Sequence, residues 1–401
     1  MSTLTRLNPA DFALPAAIDK IRSRSMVVGV IAGVLALIGA SMNHDAFYRA
    51  YLLAFMDWLG VTLGSLGLLL IIHLTNGRWG LVIRRILEAA VKNFWLMGVF
   101  FIPLWYFGVP HIYPWANDQL VAKSESLSWI RQHYLAQDLF VARACVYFAI
   151  WGLLTYFFTR WSREQDEAGN RSHSRSGALA GPGALLFGFT VTFAAVDWVM
   201  SLSYGWTSTI YGMLFIIGQL LAAMSFATIV AVILARYEPM KSILNLDHLH
   251  DYGKWMLAFV MVWAYFSFSQ WLIMWAGNLP EEIIWYKDRL HGGWQYFGLF
   301  LALFHFVVPF IVLLSAQIKK DKGRIVWIAC WLLFMRFYDL YWLIMPNFEN
   351  KAGFYFHWLN LMVPVAMGGF WLALFFRNLQ GQPLLPLHAP LTGAVLEPAH
   401  E

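Results

Sequence analysis

Asp57, Glu88, Lys92, Asp197, His305, Arg336 and Asp339 are ionisable residues that fall inside long apolar runs of the sequence. A charge in hydrocarbon is costly, so such residues are kept for a ligand, an ion path or a neutralising partner. Counted along their runs, Asp57, Asp197 and Asp339 belong to one half of the bilayer and Glu88 with Lys92 to the other, while His305 and Arg336 fall near its middle. Gln270, with Ser267 and Ser269, adds polar groups at mid depth. If these faces converge, they outline two half-channels for protons or a polar pocket. Carboxylates suit a relay of this kind, since desolvation brings the proton affinity of an acid toward neutral pH.

Each residue also has a structural reading. Glu88 and Lys92, four apart with the acid first, share one helical face and can neutralise each other. Arg336 and Asp339, three apart, can do the same. Asp197 lies near the end of its run, where water can solvate it, whereas Asp57 sits about 12 Å in at helical rise and calls for a function or a buried partner. Arg143, just after Asp138 at a helix end, can snorkel to the surface. A membrane haem needs two imidazoles on facing helices, and only His305 lies well inside a run. Two cysteines, Cys145 and Cys330, cannot make a cysteine-ligated iron–sulfur cluster, a CxxCH haem attachment or a multi-cysteine zinc site. No metal or covalently bound cofactor is therefore expected in this chain.

The elements that must carry these residues are membrane helices. The chain has 401 residues, 60% hydrophobic and 13% charged, where a soluble domain is typically about a quarter charged. Ten runs approach the roughly 20 apolar residues that a transmembrane helix needs: residues 26–42, 49–73, 87–107, 139–158, 183–202, 209–234, 255–277, 295–318, 325–345 and 357–376. The expected fold is an all-α integral membrane protein. A polar leader of residues 1–25, a transmembrane domain over 26–377 and a tail over 378–401 follow from these limits. The long leader marks the first run as a retained helix rather than a cleaved signal peptide. With the N-terminus inside, 19 Lys and Arg fall in inner segments and 6 in outer ones, which places both termini in the cytoplasm. The net charge of +5 reads as this topology, not as a nucleic-acid site. Of the longest connections, 109–137 and 161–182, the second reads as flexible from its Ser, Gly and Arg content. Trp95, Trp105, Trp198, Trp206, Trp285 and Trp294 lie near run ends or in short loops and suit an interfacial belt, with stacking on a ring ligand as the other use.

Three strings carry a resemblance. Asp197-Trp-Val-Met-Ser-Leu-Ser-Tyr-Gly-Trp206 runs on to Gly212. His250-Asp-Tyr-Gly-Lys254 leads through Trp263-Ala-Tyr-Phe-Ser-Phe-Ser-Gln270 to Gly277-Asn-Leu-Pro-Glu-Glu-Ile-Ile-Trp-Tyr286. Arg336-Phe-Tyr-Asp-Leu-Tyr-Trp342 with Pro346 is the third. Together they resemble the ActF subunits of alternative complex III, a bacterial quinol:cytochrome c oxidoreductase, within the NrfD and polysulfide-reductase membrane subunits. The resemblance covers residues 183–346. It implies two four-helix bundles, spans 2–5 and 6–9, with a peripheral helix at each end. It also implies a proton path and a second quinone or lipid site in this subunit. The implied partners are a paralogous NrfD-like membrane subunit, an iron–sulfur protein, multihaem and monohaem cytochromes c, small membrane subunits and membrane lipids. Haem c and iron–sulfur clusters would reside in those partners. Asp197, Gln270, Arg336 and Asp339 are the candidates within the matching strings; Asp57, Glu88, Lys92 and His305 rest on depth alone. Where relatives place an acidic residue, Pro and His before the Trp, this chain has Ser203-Tyr-Gly205, so a role for that acid or imidazole would pass to Asp197. An ion or solute transporter and a purely structural membrane scaffold are the readings from other classes.

Overall fold

The computed structural model describes residues 12–168, 171–349, 353–388 and 392. Arg6 and Lys351, which belong to the charge count above, lie outside them, as do the rest of residues 1–11 and, in the tail, residues 389–391 and 393–401. The described chain is 84% helical, with no strand among the described residues. Ten helices are long and apolar enough to cross a membrane: α1 Ile18–Met42, α2 His44–Thr75, α3 Arg78–Ile112, α4 Gln137–Glu167, α5 Arg175–Leu202, α6 Tyr211–Leu234, α7 Leu246–Gly277, α8 Trp294–Leu314, α9 Lys322–Phe348 and α10 Leu359–Gln380. This is the architecture of a multi-pass membrane protein.

Most helices begin or end beyond the apolar runs because polar caps, not hydropathy, set their limits. The Asn43 side chain accepts from Ala46 N at 3.0 Å to open α2, and Asn245 with His248 forms a capping box for α7. Asn76 and Asn278 end α2 and α7 in the left-handed region, at φ 50° and 48°. The expected flexible stretch over 161–182 is instead largely helical: one helix continues to Ala168 and the next starts at Arg171. An Arg160–Glu164 pair at 2.8 Å holds the first extension. The α3 helix likewise starts at Arg78, so Arg84 and Arg85 belong to the span and not to a loop.

Two spans contain π-helical turns, Leu104–Gly108 in α3 and Ala302–Val307 in α8. Pro110 and Pro309 explain them, since neither can donate to the carbonyl four residues back, at Tyr106 and His305.

Helices α2 and α6 are buried on nearly all sides, while α1, α7 and α8 expose most of their apolar surface. The centre is the α2–α6 crossing, flanked by α5 and α10 on α2 and by α7 and α9 on α6. A Cβ at Gly64 would stand 1.9 Å from Gln219 O and 2.4 Å from its carbonyl carbon, so the two backbones touch only because that side chain is absent. At the other end of the sequence α1 lies along α10. Both ends of the described chain meet on one face, the terminal face, where Leu384 N donates to Phe12 O at 2.8 Å.

Candidate functional site

Among the candidate residues, Asp57, His305, Arg336 and Asp339 are gathered around α6, with Gln270 lining a cavity alongside Asp339. From α9, Arg336 donates through Nη1 to Asp339 Oδ2, the pairing that their spacing allowed. Its guanidinium crosses α6 beside Gly218, where a Cβ would fall 2.2 Å from Nη1, and lies 5.5 Å from the Phe215 ring centre. That crossing brings the cation within electrostatic range of Asp57 on α2. Asp57 is partly accessible and has no hydrogen-bond partner among the described residues. Trp263 of α7 donates to Asp339 Oδ2 at 3.3 Å, and its other side meets the His305 ring at a centroid distance of 4.2 Å. His305 is fully buried, and neither ring nitrogen finds a hydrogen-bond partner among the described residues. The result is one unengaged carboxylate, one paired carboxylate and one imidazole around a single guanidinium.

Asp197 is not solvated at a helix end. It is fully buried, held by Arg143 Nε at 2.8 Å and Nη2 at 3.0 Å, with the Tyr147 hydroxyl donating at 2.8 Å. Arg143 is thus a two-pronged partner, not a snorkelling surface residue. The Tyr134 ring stacks against its guanidinium, 4.0 Å from centroid. Burial, and then the neighbouring Asp197 carboxylate, push the Tyr134 phenol above its ordinary range. An acid this fully engaged is suited to fixing α4 against α5.

Glu88 takes other partners than Lys92. Arg84 Nε donates to it at 2.9 Å, Arg85 Nη1 at 2.8 Å and the Ser162 hydroxyl at 2.6 Å. Two arginines nearer the start of α3 displace the lysine, each covering one carboxylate oxygen of Glu88 while its other guanidinium nitrogens bond to the following helix. Lys92 donates instead to Gln382 Oε1 at 2.8 Å, while Arg85 also holds Asp166. Residues 382–388 close over this network: Gln382 Nε2 donates to Arg85 O at 3.1 Å and Leu387 N to Asp166 Oδ1 at 3.0 Å. No hydrogen bond joins the groups around Glu88, Asp197 and Arg336 among the described residues. The half-channels expected from depth are therefore not a continuous file of side chains, and any transfer between groups requires water.

Gln270 of α7 is buried, and its Oε1 accepts from the Ser208 hydroxyl at 3.4 Å. It lines, with Asp339, a cavity of about 520 Å³ whose other walls include Trp263, Trp271, Trp285 and Trp342. Tyr286 of the short helix Pro280–Lys287 also faces it. Burial pushes that phenol above its ordinary range, so it stays a neutral donor.

Two features escaped sequence reasoning. Arg289, which counted only as an outer-loop charge, is 2% exposed and donates to the carbonyls of Trp285, Trp342 and Leu343. Four of the six expected belt tryptophans, Trp198, Trp206, Trp285 and Trp294, are buried in protein instead. Trp206 and Trp285 stack at 4.8 Å, with Arg289 lying 3.6 Å from the Trp285 ring centre. Loop position signalled water for these residues, yet the loop folds back onto the end of α9.

The fold and these buried groups define a multi-pass helical membrane protein with a charged core beside an aromatic cavity. No protein-family model matches the chain, and comparison with characterised proteins finds no match either.

Proposed function

We propose that this chain is a membrane-core subunit of a quinol:cytochrome c oxidoreductase, or of one using another electron acceptor, in a bacterial respiratory or photosynthetic chain. It belongs in this reading to the cytoplasmic membrane, with both termini inside, α2–α5 and α6–α9 as two four-helix bundles, and α1 and α10 outside that pairing, α1 exposed and α10 packed against α2. Haem c and iron–sulfur clusters sit in partner subunits, and the chain is not a catalyst alone. Its part is to move protons released by, or coupled to, quinol oxidation. The observation that supports this is Asp57: a carboxylate deep in the membrane without a hydrogen-bond partner, within range of an arginine already shared with Asp339. A group so placed can exchange a proton without first breaking an ion pair.

The chain, tagged at its C-terminus and purified gently from native membranes, is expected to carry an iron–sulfur protein, haem c absorbance and quinol:cytochrome c activity. A lone, colourless protein sinks the oxidoreductase reading and leaves a transporter. In the intact assembly, Asp57→Asn is expected to slow coupled proton release by about 10²-fold, the scale of a lost proton-transfer group, while electron-transfer partners remain bound. Unchanged proton release per quinol oxidised would leave the chain a scaffold.

A further inference from the structure

Residues 382–388 leave α10 and turn back over its neighbours. Gly381 ends the helix, and Pro383 and Pro386, which have no amide hydrogen to give, keep it from resuming. The segment is nevertheless buried: Gln382 is 7% exposed, and Leu384, Leu385 and Leu387 are 5% exposed or less. Its polar contacts are single bonds to three separate elements. Gln382 meets Lys92 and the Arg85 carbonyl on α3. Leu387 N meets Asp166 and the His388 carbonyl accepts from Gln165 Nε2 at 3.5 Å, both on α4. Leu384 N meets Phe12 of the leader.

The charged network beneath is complete without this segment. Glu88 keeps Arg84, Arg85 and Ser162, and Asp166 keeps Arg85. Arg84 also keeps Gln165 through Nη1 and Ser162 through Nη2, both at 3.1 Å. All these partners lie on α3 and α4. Lys92 is the exception, since Gln382 is its hydrogen-bond partner among the described residues. Removing a keystone would orphan several buried charges at once. Lifting this segment frees one ammonium, which arriving water can solvate. The three buried leucines make the shut position the resting one.

We propose that residues 382–388 are a releasable cover on this network. Shut, they keep the aqueous phase beyond the ends of α4 and α10 away from Lys92 and from the cluster of Arg84, Arg85, Glu88 and Asp166. Open, they bare Lys92 and Asp166 to it while α3 and α4 stay paired. Access to these groups is set by the position of the tail and needs no movement of the membrane helices. The device rests on the packing at this end of the molecule and not on the redox reading above.

The test uses the full chain in lipid nanodiscs. In the parent, amides of residues 382–388 are expected to exchange with deuterium at least about tenfold faster than those of residues 84–92, the mark of local release rather than global unfolding. A membrane-impermeant amine-acylating reagent is expected to mark Lys92 about tenfold faster in Gln382→Ala than in the parent, the scale of one or two lost hydrogen bonds. Replacing residues 382–388 by a Gly/Ser segment of equal length should raise the rate further. Marking of the exposed Lys241 and exchange of residues 84–92 should both hold at the parent's rate, as a cover requires and a keystone would not allow. Exchange of residues 382–388 no faster than that of 84–92, Lys92 marked at the parent's rate in both variants, or faster exchange of 84–92 in Gln382→Ala would each overturn the proposal. The exchange comparison in the parent needs no substitution, so it decides even where a variant does not fold.

Discussion

Arg143→Leu is expected to destabilise the purified protein by about 3 kcal/mol, the low end of the cost of orphaning a buried charge. The reason is the partner left behind. Asp197 is fully buried, and without the two guanidinium bonds the Tyr147 hydroxyl is the one hydrogen bond left to its carboxylate among the described residues, with no positive charge to balance it. The low end applies because the Arg143 side chain itself is 22% exposed. Arg143→Lys is expected to recover part of the loss, since an ammonium supplies the charge but not the fork. The double variant Arg143→Leu/Asp197→Leu should recover more, because both charges leave together. Thermal unfolding in one detergent, followed for all three variants, decides the matter. A single variant as stable as the parent would mean that water reaches Asp197 after all.

Gly64→Val is expected to yield no monodisperse folded protein. Even an alanine Cβ would overlap the Gln219 carbonyl at 1.9 Å, and the obstacle is backbone of α6, which cannot rotate aside as a side chain can. Overpacking in a well-packed core typically costs about 1–3 kcal/mol; here the two most buried helices would have to separate, which exceeds that range. Gly188→Ala is the control, since nothing lies within 4 Å of the added carbon. Size-exclusion profiles of the two variants, expressed side by side, report the difference. A normal profile for Gly64→Val would show that α2 and α6 are not in backbone contact.

The spans were legible because hydrocarbon thickness imposes a length and an apolarity that few other constraints produce. The expected run 209–234 became Tyr211–Leu234. Helix ends were less legible, as at α7, where an Asn–His cap starts the helix at Leu246 rather than Trp255. Spacing named the Arg336–Asp339 pair and misdirected Glu88, because local spacing ranks Lys92 without seeing that Arg84 and Arg85 are closer in space. Pairs across helices, such as Arg143–Asp197, were invisible: no periodicity in one strand of sequence encodes which face meets which. The cavity was illegible for the same reason, being a gap between α7, α8, α9 and a loop helix that are separated along the chain.

The crossing of Arg336 over Gly218 toward Asp57 has a consequence for biogenesis. A membrane chain is threaded out of the ribosome from its N-terminus, so α2 enters the translocon with Asp57 long before α9 has been synthesised. Until Arg336 arrives, that acid faces lipid or a lateral gate with no counter-charge, and α2, destined for the centre of the protein, has no α6 to cover it. The order of synthesis thus exposes the most buried helix first, with its acid uncompensated, and the cost of that acid in hydrocarbon falls only when the second half of the chain is in place.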